Sequence, residues 1–313
     1  MTHSDAIAEY VTLRRKLGFK LRRTALDLPR FAAFLEREGA PFITTTLALR
    51  WALEDPDSSA VTRSDRLATV RCFAKWRRAS DPGTEIPPAG LLPRRYRRPA
   101  PYIYSDEQVD QLVAGARNLP SARGVRGLTC SVLFALLAVT GMRVGEAVAL
   151  DRTDVDLDTG VLTIREGKFG KSRFVPLAPT TQNALADYRK EIAALVPAPR
   201  TPAFFISERG LRMSAWSAGD NFIKVLRGLE LRAASDGRRR GRGPRLHDLR
   251  HRFAVYTLIR WYRAGADIDR EMPKLATYLG HTSVEEVYWY LQAVPELLSA
   301  ATDKAWATPG VTS

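Results

Sequence analysis

The residue types best suited to chemistry lie in the second half of the chain, and most of them are basic. An arginine follows the Thr140–Gly141 break with Glu146 three residues on, and a lysine sits in a glycine-rich turn between two short strands. A His-x-x-Arg pair then occupies one helical face, and a Leu-Gly-His precedes a tyrosine by nine residues. Side chains of these types bind phosphate oxygens and move protons. The six residues are Arg143, Lys168, His247, Arg250, His281 and Tyr290.

Other familiar sites are missing from the sequence. It contains no glycine-rich phosphate loop, no dinucleotide fingerprint and no Gly-x-Ser-x-Gly segment. His247 and His251 have a spacing close to that of helical zinc ligands, but Asp248 replaces the usual glutamate and Arg250 would put a cation beside the metal. We therefore predict no metal site and no cofactor.

The net charge of the protein is +14, and both halves are basic. Neutralising phosphates releases counterions and gives affinity, so nucleic acid is the leading partner. An arginine-favouring coding bias is the alternative explanation of the charge alone.

Cysteine usage and hydropathy indicate a reducing cytoplasm. Cys72 and Cys130 have no second cysteine near them, which argues against a disulfide framework. The apolar run Val132–Val139 is too short to cross a bilayer, and no secretory signal is recognisable at the start. We expect a cytoplasmic protein with no membrane partner.

Hydrophobic periodicity predicts helices through residues 5–78, with one basic side on the last of them. Residues 89–103 are rich in proline, which the interior of a helix does not tolerate, and in arginine. This composition is typical of a basic linker. The predicted division is a helical domain over 1–88, a linker over 89–103 and a second domain, which contains the six residues, over 104–313.

The elements that must position the six residues are mostly helical. Ser105 is a plausible helix cap, and Leu128–Val139 is an almost wholly apolar, central helix. Residues 160–165 and 173–177 alternate like two strands around a short turn, and Ala203–Ser207 reads as a further strand. Helices are predicted over 214–232, 246–264, 271–279, 283–292 and 295–306. The predicted fold is mainly α with a small antiparallel β-sheet.

At this point the sequence resembles the tyrosine recombinases, also called the phage integrase family. Their Arg…Lys…His-x-x-Arg…His…Tyr signature falls on the six residues in the right order, and the resemblance covers about residues 100–300. The N-terminal helices resemble the family's core-binding domain more loosely.

The resemblance implies a role for each residue. Arg143 and Arg250 would hold the non-bridging phosphate oxygens, which suits planar guanidinium groups. Lys168 would protonate the leaving 5′-oxygen, and His281 would hydrogen-bond the phosphate. His247 would assist proton transfer at Tyr290 or hold a phosphate oxygen. Tyr290 would be the nucleophile, and Glu146 would orient the cluster or be a plain helix-surface acid.

Several neighbours compete with these assignments. Lys168 is preferred to Lys171 because of its spacing from the following strand in the family pattern. Tyr288 and Tyr290 point in nearly opposite directions on a helix; the family spacing favours Tyr290, and we interpret Tyr288 as core packing. His251 is interpreted as structural or supporting rather than catalytic. Lys171 and Arg173 are interpreted as backbone-phosphate contacts or solvated turn residues. A second group is interpreted as DNA-backbone contacts or as part of a disordered surface loop: Arg238, Arg239, Arg240, Arg242 and Arg245.

The implied protein is a two-domain C-clamp around double-stranded DNA recombination sites, acting as a homotetramer on DNA, alone or with sister recombinases. It would serve DNA integration, excision or transposition of a mobile element. The implied reaction proceeds through a 3′-phosphotyrosine and a Holliday junction. A catalytically silent DNA-binding accessory protein and a type IB topoisomerase are the alternatives.

Overall fold

The protein is described from a computed structural model, which covers residues 2–21, 23–93, 100–165, 172–233, 243–280 and 283–293. Its contacts divide the chain into two compact units, residues 1–99 and 100–313. Unit 1 contains four helices: α1 (His3–Lys16), α2 (Thr24–Arg37), α3 (Thr45–Leu53) and α4 (Ala60–Arg77). The predicted N-terminal helices are therefore confirmed.

The helices of unit 1 begin and end where the sequence supplies caps. Thr44 accepts a hydrogen bond from the Leu47 backbone N–H at 3.2 Å, and Ser59 accepts one from Thr62 at 3.1 Å. The apolar stripe of α2 includes Leu28, Phe31 and Leu35, which are fully buried in the core of this unit. The unit therefore has a hydrophobic core of its own.

Some arginines on the predicted basic side of α4 make contacts within unit 1. The Arg71 guanidinium donates to the Pro87 carbonyl at 2.7 Å and to the Pro88 carbonyl at 2.8 Å. Arg77 is 8% exposed. The contacts of Arg71 fasten Pro87 and Pro88 to the helix, and Arg77 pairs with Asp81 at 3.4 Å, so both arginines serve the fold of the unit.

Unit 2 is built around α6 (Val125–Thr140), which packs against α5 (Asp106–Arg117), α8 (Pro179–Leu195) and α10 (Asp248–Arg263). The capping box of Ser105 and Gln108 opens α5 as predicted. The remaining helices are α7 (Val144–Ala149), α9 (Ala215–Gly228), α11 (Ile268–Leu279) and α12 (Glu285–Ala293).

The sheet of unit 2 has three antiparallel strands in the order β1 (Val155–Asp156), β2 (Val161–Ile164) and β3 (Arg173–Pro176). Leu162 pairs with Val175, and both are buried, while Phe174 faces outward. One face of the hairpin therefore anchors it to the core, and its base is fixed by Arg173 opposite Ile164. The mainly helical fold with a small antiparallel sheet is confirmed.

One local prediction needs correction. Residues 203–207 form no strand; they make only isolated bridges, Asp151 with Ala203 and Ile206 with Arg212. Phe204, Phe205 and Ile206 are all buried, so this apolar run is core packing rather than a paired edge.

Residues 179–195, for which the sequence pattern gave no element above, form α8. Pro179 occupies its first turn, where no backbone N–H is needed. Leu185, Tyr188 and Ile192 form its buried side.

Candidate functional site

Two helices of unit 2 end in glycines with left-handed backbone, and their last carbonyls face the predicted arginines. α6 ends at Gly141 (φ +61°) and α11 at Gly280 (φ +67°). The carbonyl groups at a helix C-terminus carry partial negative charge and lack helical partners. They are therefore natural acceptors for cations.

The guanidinium of Arg250 bridges these two helix ends. Nη1 donates to the Gly141 carbonyl at 2.9 Å and Nη2 to the Leu279 carbonyl at 2.7 Å. Arg143 reaches the same place, donating to the Leu279 carbonyl at 3.4 Å and to the Gly280 carbonyl at 3.1 Å. The structure thus brings together two arginines that are 107 positions apart in the sequence (250 − 143).

Glu146 lies between Arg143 and a third arginine, Arg173. Its carboxylate accepts from Arg143 Nη1 at 2.9 Å, from the Arg143 backbone N–H at 2.9 Å, and from Arg173 at 3.1 and 2.8 Å. Burial alone would raise the pKa of Glu146, but the hydrogen bonds and charges of Arg173 and Arg143 outweigh it and lower that pKa to about 2. Glu146 is therefore a buried orienting carboxylate and not a helix-surface acid.

Arg173 has a position that the sequence did not predict. Besides its two bonds to Glu146, its Nε donates to the Tyr278 carbonyl at 2.7 Å. Its side chain is only 13% exposed. Instead of pointing outward as a backbone-phosphate contact, Arg173 ties the base of the β2–β3 hairpin to α7 and to the end of α11.

The charge of Arg250 is the least compensated in the cluster. The residue is 2% exposed, and the hydrogen bonds of its guanidinium go to uncharged carbonyls. Burial lowers the pKa of Arg250, and repulsion by Arg143 lowers it further, while attraction to Tyr290 and Glu146 opposes them; the result is about 10. The group still carries its proton at neutral pH, and its hydrogen bonds among the described residues are to carbonyl groups rather than to a carboxylate.

Tyr290 lies in this electrostatic environment, on α12. It is 1% exposed, and its hydroxyl is 2.9 Å from Nδ1 of His251. The His251 ring also contacts the Trp289 ring, with centroids 5.6 Å apart, and its Nε2 is 4.0 Å from Asp248 Oδ1. A residue interpreted above as structural or supporting therefore touches the candidate nucleophile directly.

His247 and Arg245 occupy the start of α10. His247 is the residue before the first helical turn, is exposed, and has its ring centroid 4.7 Å from that of His251. The Arg245 backbone N–H donates to Asp248 at 2.7 Å, and its half-exposed side chain pairs with the same carboxylate at 3.4 Å. Both residues lie at the rim of the cluster.

Tyr288 is not core packing, which corrects the interpretation given above. It is 42% exposed, and its hydroxyl donates to Asp269 at 3.1 Å. The buried side of α12 instead contains Val287 and Tyr290, three positions apart on one helical face.

Several predicted site residues, Lys168, Lys171, Arg238, Arg239, Arg240, Arg242 and His281, lie outside the described residues. Among the described residues, no group of three or more histidine, cysteine, aspartate or glutamate side chains could hold a metal ion. In the same part of the chain, no helix has both the length and the apolarity that a bilayer crossing requires.

The arrangement can hold and attack a phosphate diester. Arg250 and Arg143 present converging guanidinium groups to an anion, and the Tyr290 hydroxyl is hydrogen-bonded to an imidazole beside them. A nucleophile is activated when its hydroxyl is hydrogen-bonded to a base and that base is oriented by a third polar group. The sequence analysis named both His251 and Arg173 but gave them other roles, because the His-x-x-Arg-His run and the Arg-Phe-Val-Pro strand do not reveal their contacts with Tyr290 and Glu146.

Comparison with known proteins agrees with this geometry. Residues 104–296 match the phage integrase family. An integrase/recombinase of Sinorhizobium fredii is 45% identical over 306 residues, covering 96% of each chain. The tyrosine recombinase XerD of Bradyrhizobium diazoefficiens is 31% identical over 296 residues, covering 88% of this chain and 86% of the relative.

Solved structures share the fold. A lambda integrase dimer bound to a COC′ core site has a TM-score of 0.65 at 18% identity, covering 93% of this chain and 77% of that one. The Tn1549 transposon integrase in complex with transposon right end DNA has a TM-score of 0.60 at 15% identity, covering 98% and 100%. The chain therefore belongs to the phage integrase family, and it is a tyrosine-type site-specific recombinase that cleaves and rejoins DNA strands.

Proposed function

We propose that Tyr290 attacks a DNA phosphodiester and becomes joined to the 3′-phosphate, releasing a free 5′-hydroxyl. The observation that carries this proposal is the buried Tyr290 hydroxyl, hydrogen-bonded to His251 and coupled electrostatically to Arg250. Attack at phosphorus builds negative charge on the non-bridging oxygens, and preorganised cations stabilise that charge. The phosphotyrosine conserves the energy of the broken bond, so no external energy source is needed.

The other predicted roles follow from this step. Arg250 and Arg143 hold the non-bridging oxygens by exchanging helix-end carbonyls for phosphate oxygens. Lys168 is the general acid for the leaving 5′-oxygen, and His281 hydrogen-bonds the phosphate. Glu146 and Arg173 keep the first arginine and the hairpin base in place.

The biological setting is proposed from the wider resemblance. The 5′-hydroxyl of a partner strand attacks the phosphotyrosine to give a Holliday junction, which a second round resolves. Four protomers then act on two double-stranded recombination sites. The names of the S. fredii and Tn1549 relatives support integration, excision or transposition of a mobile element as the role.

The test is covalent trapping with matched tyrosine variants. Wild type, Tyr290→Phe and Tyr288→Phe are incubated with nicked, labelled duplexes tiled across the DNA that flanks the gene, and run on denaturing gels. We expect a detergent-resistant adduct for wild type and Tyr288→Phe, because Tyr288 faces Asp269 away from the cluster. Tyr290→Phe should bind the same DNA and form none.

Each other outcome has a defined meaning. An adduct that persists in Tyr290→Phe refutes the nucleophile. Specific binding without an adduct in any of the proteins favours the silent accessory protein. Relaxation of plasmids that lack a specific site favours the topoisomerase.

A further inference from the structure

The Tyr290 hydroxyl needs an acceptor for its proton, and the described residues offer His251 at that place. The family resemblance gives His247 either this task or that of holding a phosphate oxygen, but the two histidines differ in position. His251 is 3% exposed and hydrogen-bonds the hydroxyl, whereas His247 is exposed and precedes the first turn of α10. The two rings lie one helical turn apart on the same side of α10, and His251 is the more deeply buried of the two.

The surroundings of His251 suit a proton acceptor. When Nδ1 accepts from the phenol, the ring hydrogen resides on Nε2, which faces Asp248 Oδ1 at 4.0 Å. Asp248 is 2% exposed, and Arg245 pairs with it. A buried acid behind an imidazole stabilises the imidazolium that forms when the nucleophile gives up its proton.

We propose that His251 takes the hydroxyl proton of Tyr290 as that oxygen attacks phosphorus. This inference rests on Tyr290 being the nucleophile. The Tyr290 O–H bond breaks and an Nδ1–H bond forms while the bond between Oη and phosphorus forms and the bond from phosphorus to the 5′-oxygen breaks. The leaving oxygen takes a proton from the general acid, for which Lys168 is the candidate.

Religation runs the same transfers in reverse, and it gives His251 a second task. The incoming 5′-hydroxyl attacks phosphorus, and the departing Tyr290 oxygen recovers its proton from the imidazolium. Among the described residues, the charged and titratable groups around this exchange include Asp248 and Arg245 at the start of α10, Arg250 beside the phenol, and His247 across the ring contact.

The first experiment compares four substitutions in single-turnover cleavage of the trapped duplex. His251→Asn keeps an acceptor atom near the position of Nδ1 but takes no proton, and His251→Gln reaches toward the position of Nε2. His251→Ala removes both, and His247→Ala tests the competing residue. Tyr288→Phe and Tyr290→Phe are the positive and negative controls, and DNA affinity is measured for each protein.

We expect His251→Ala and His251→Gln to slow cleavage by about 10² to 10⁴-fold, the usual effect of a positioned base. His251→Asn should recover part of the rate, since the hydrogen bond that orients the phenol remains. The wild-type rate should fall at acid pH as the imidazole is protonated, and that limb should vanish in His251→Asn. It should persist in His247→Ala.

The proposal is overturned if His251→Ala and His251→Asn cleave within threefold of wild type while Tyr290→Phe forms no adduct. It is also overturned if the acid limb disappears in His247→Ala and stays in His251→Asn. An adduct in Tyr290→Phe refutes the nucleophile itself and so separates failure of the proposed function from failure of this inference.

A second measurement needs no DNA and does not depend on the folding of His251→Ala. Tyrosine labelled with ¹³C at Cζ is introduced into the full chain, and the Tyr290 resonance is identified by its loss in Tyr290→Phe. We expect it to move as the imidazole is protonated and to lose that response in His251→Asn. A Tyr290 resonance that titrates identically in both proteins contradicts the proposed pair.

Discussion

Replacing Glu146 by glutamine tests whether one buried carboxylate holds the arginine cluster together. The substitution keeps the size of the side chain and removes its charge. The Glu146 carboxylate has two oxygens that accept from the guanidinium groups of Arg143 and Arg173. Glutamine has only one accepting oxygen, and its amide hydrogens would face the guanidinium N–H groups, which are also donors. Two arginines would then lose their only hydrogen-bonded carboxylate among the described residues.

The size of the effect follows from the pKa of Glu146. A fall from 4.5 to about 2, at about 1.4 kcal/mol per pKa unit, corresponds to about 3 kcal/mol of folding free energy. The side chain is 7% exposed, so solvent screens the pair weakly. We expect Glu146→Gln to lower the stability of unit 2 by about 3 kcal/mol at pH 7, similar to breaking other buried ion pairs.

The pH dependence gives the sign of the effect. Because the folded pKa is lowered, this contribution is fully present above pH 4.5 and is lost as the pH falls toward 2. The difference between wild type and Glu146→Gln should therefore be largest near neutral pH and shrink below pH 4.5.

The assay is hydrogen exchange by mass spectrometry on the full chain over this pH range. The two units have separate cores, so a single unfolding curve would mix them. Peptides from unit 1 serve as the internal reference. Glu191→Gln is the matched control, since the Glu191–Arg117 pair in unit 2 is about half exposed and should contribute less than about 1 kcal/mol.

Two results would refute the reasoning. One is a Glu146→Gln protein whose unit 2 opens within about 0.5 kcal/mol of wild type at pH 7, the range of ordinary surface substitutions. The other is a stability difference that stays constant between pH 5 and pH 3. Either would mean that the carboxylate does not hold the arginines through its charge.

Two further substitutions probe the helix ends and the phosphate-binding charge. Gly280→Ala should destabilise unit 2 more than Gly265→Ala. Both glycines have left-handed backbone, which alone costs a substituted residue about 1 kcal/mol, but only at Gly280 would the new Cβ meet Arg173 Nη1, at 2.9 Å. Equal melting temperatures of the two variants would contradict this. Arg250→Lys should bind DNA but cleave at least about 10²-fold more slowly, because an ammonium group cannot span the two carbonyls or a phosphate as a planar fork; single-turnover rates near wild type would remove Arg250 from the phosphate site.

Much of the cluster is predictable from local patterns. Gly141 and Gly280 mark helix ends because only glycine adopts the left-handed cap without strain. Arg143 and Arg250 follow from family spacing. Since each feature depends on a short stretch of sequence, chain order and residue type are enough to identify it.

The contacts of Tyr288, His251 and Arg173 are not predictable in this way. The helical period places Tyr288 and Tyr290 on opposite faces, but it does not say which face α12 buries. The pairing of His251 with Tyr290 spans 39 positions, and that of Arg173 with Glu146 spans 27. Such contacts depend on how α10, α12 and β3 pack, and no local pattern contains that information.

The cluster is held by uncharged groups in a way that preserves its positive charge. Arg143 and Arg173 share the carboxylate of Glu146. Helix-end carbonyls accept hydrogen bonds from both of them and from Arg250. Carbonyl groups orient a guanidinium without neutralising it, so an excess of positive charge remains in a buried place. Desolvation and the repulsion between these charges lower the pKa of Arg250. A phosphodiester entering this site supplies the missing anion. Binding of DNA must therefore raise the pKa of Arg250 and stabilise unit 2, whereas a second carboxylate in the same place would stabilise the fold and exclude the substrate.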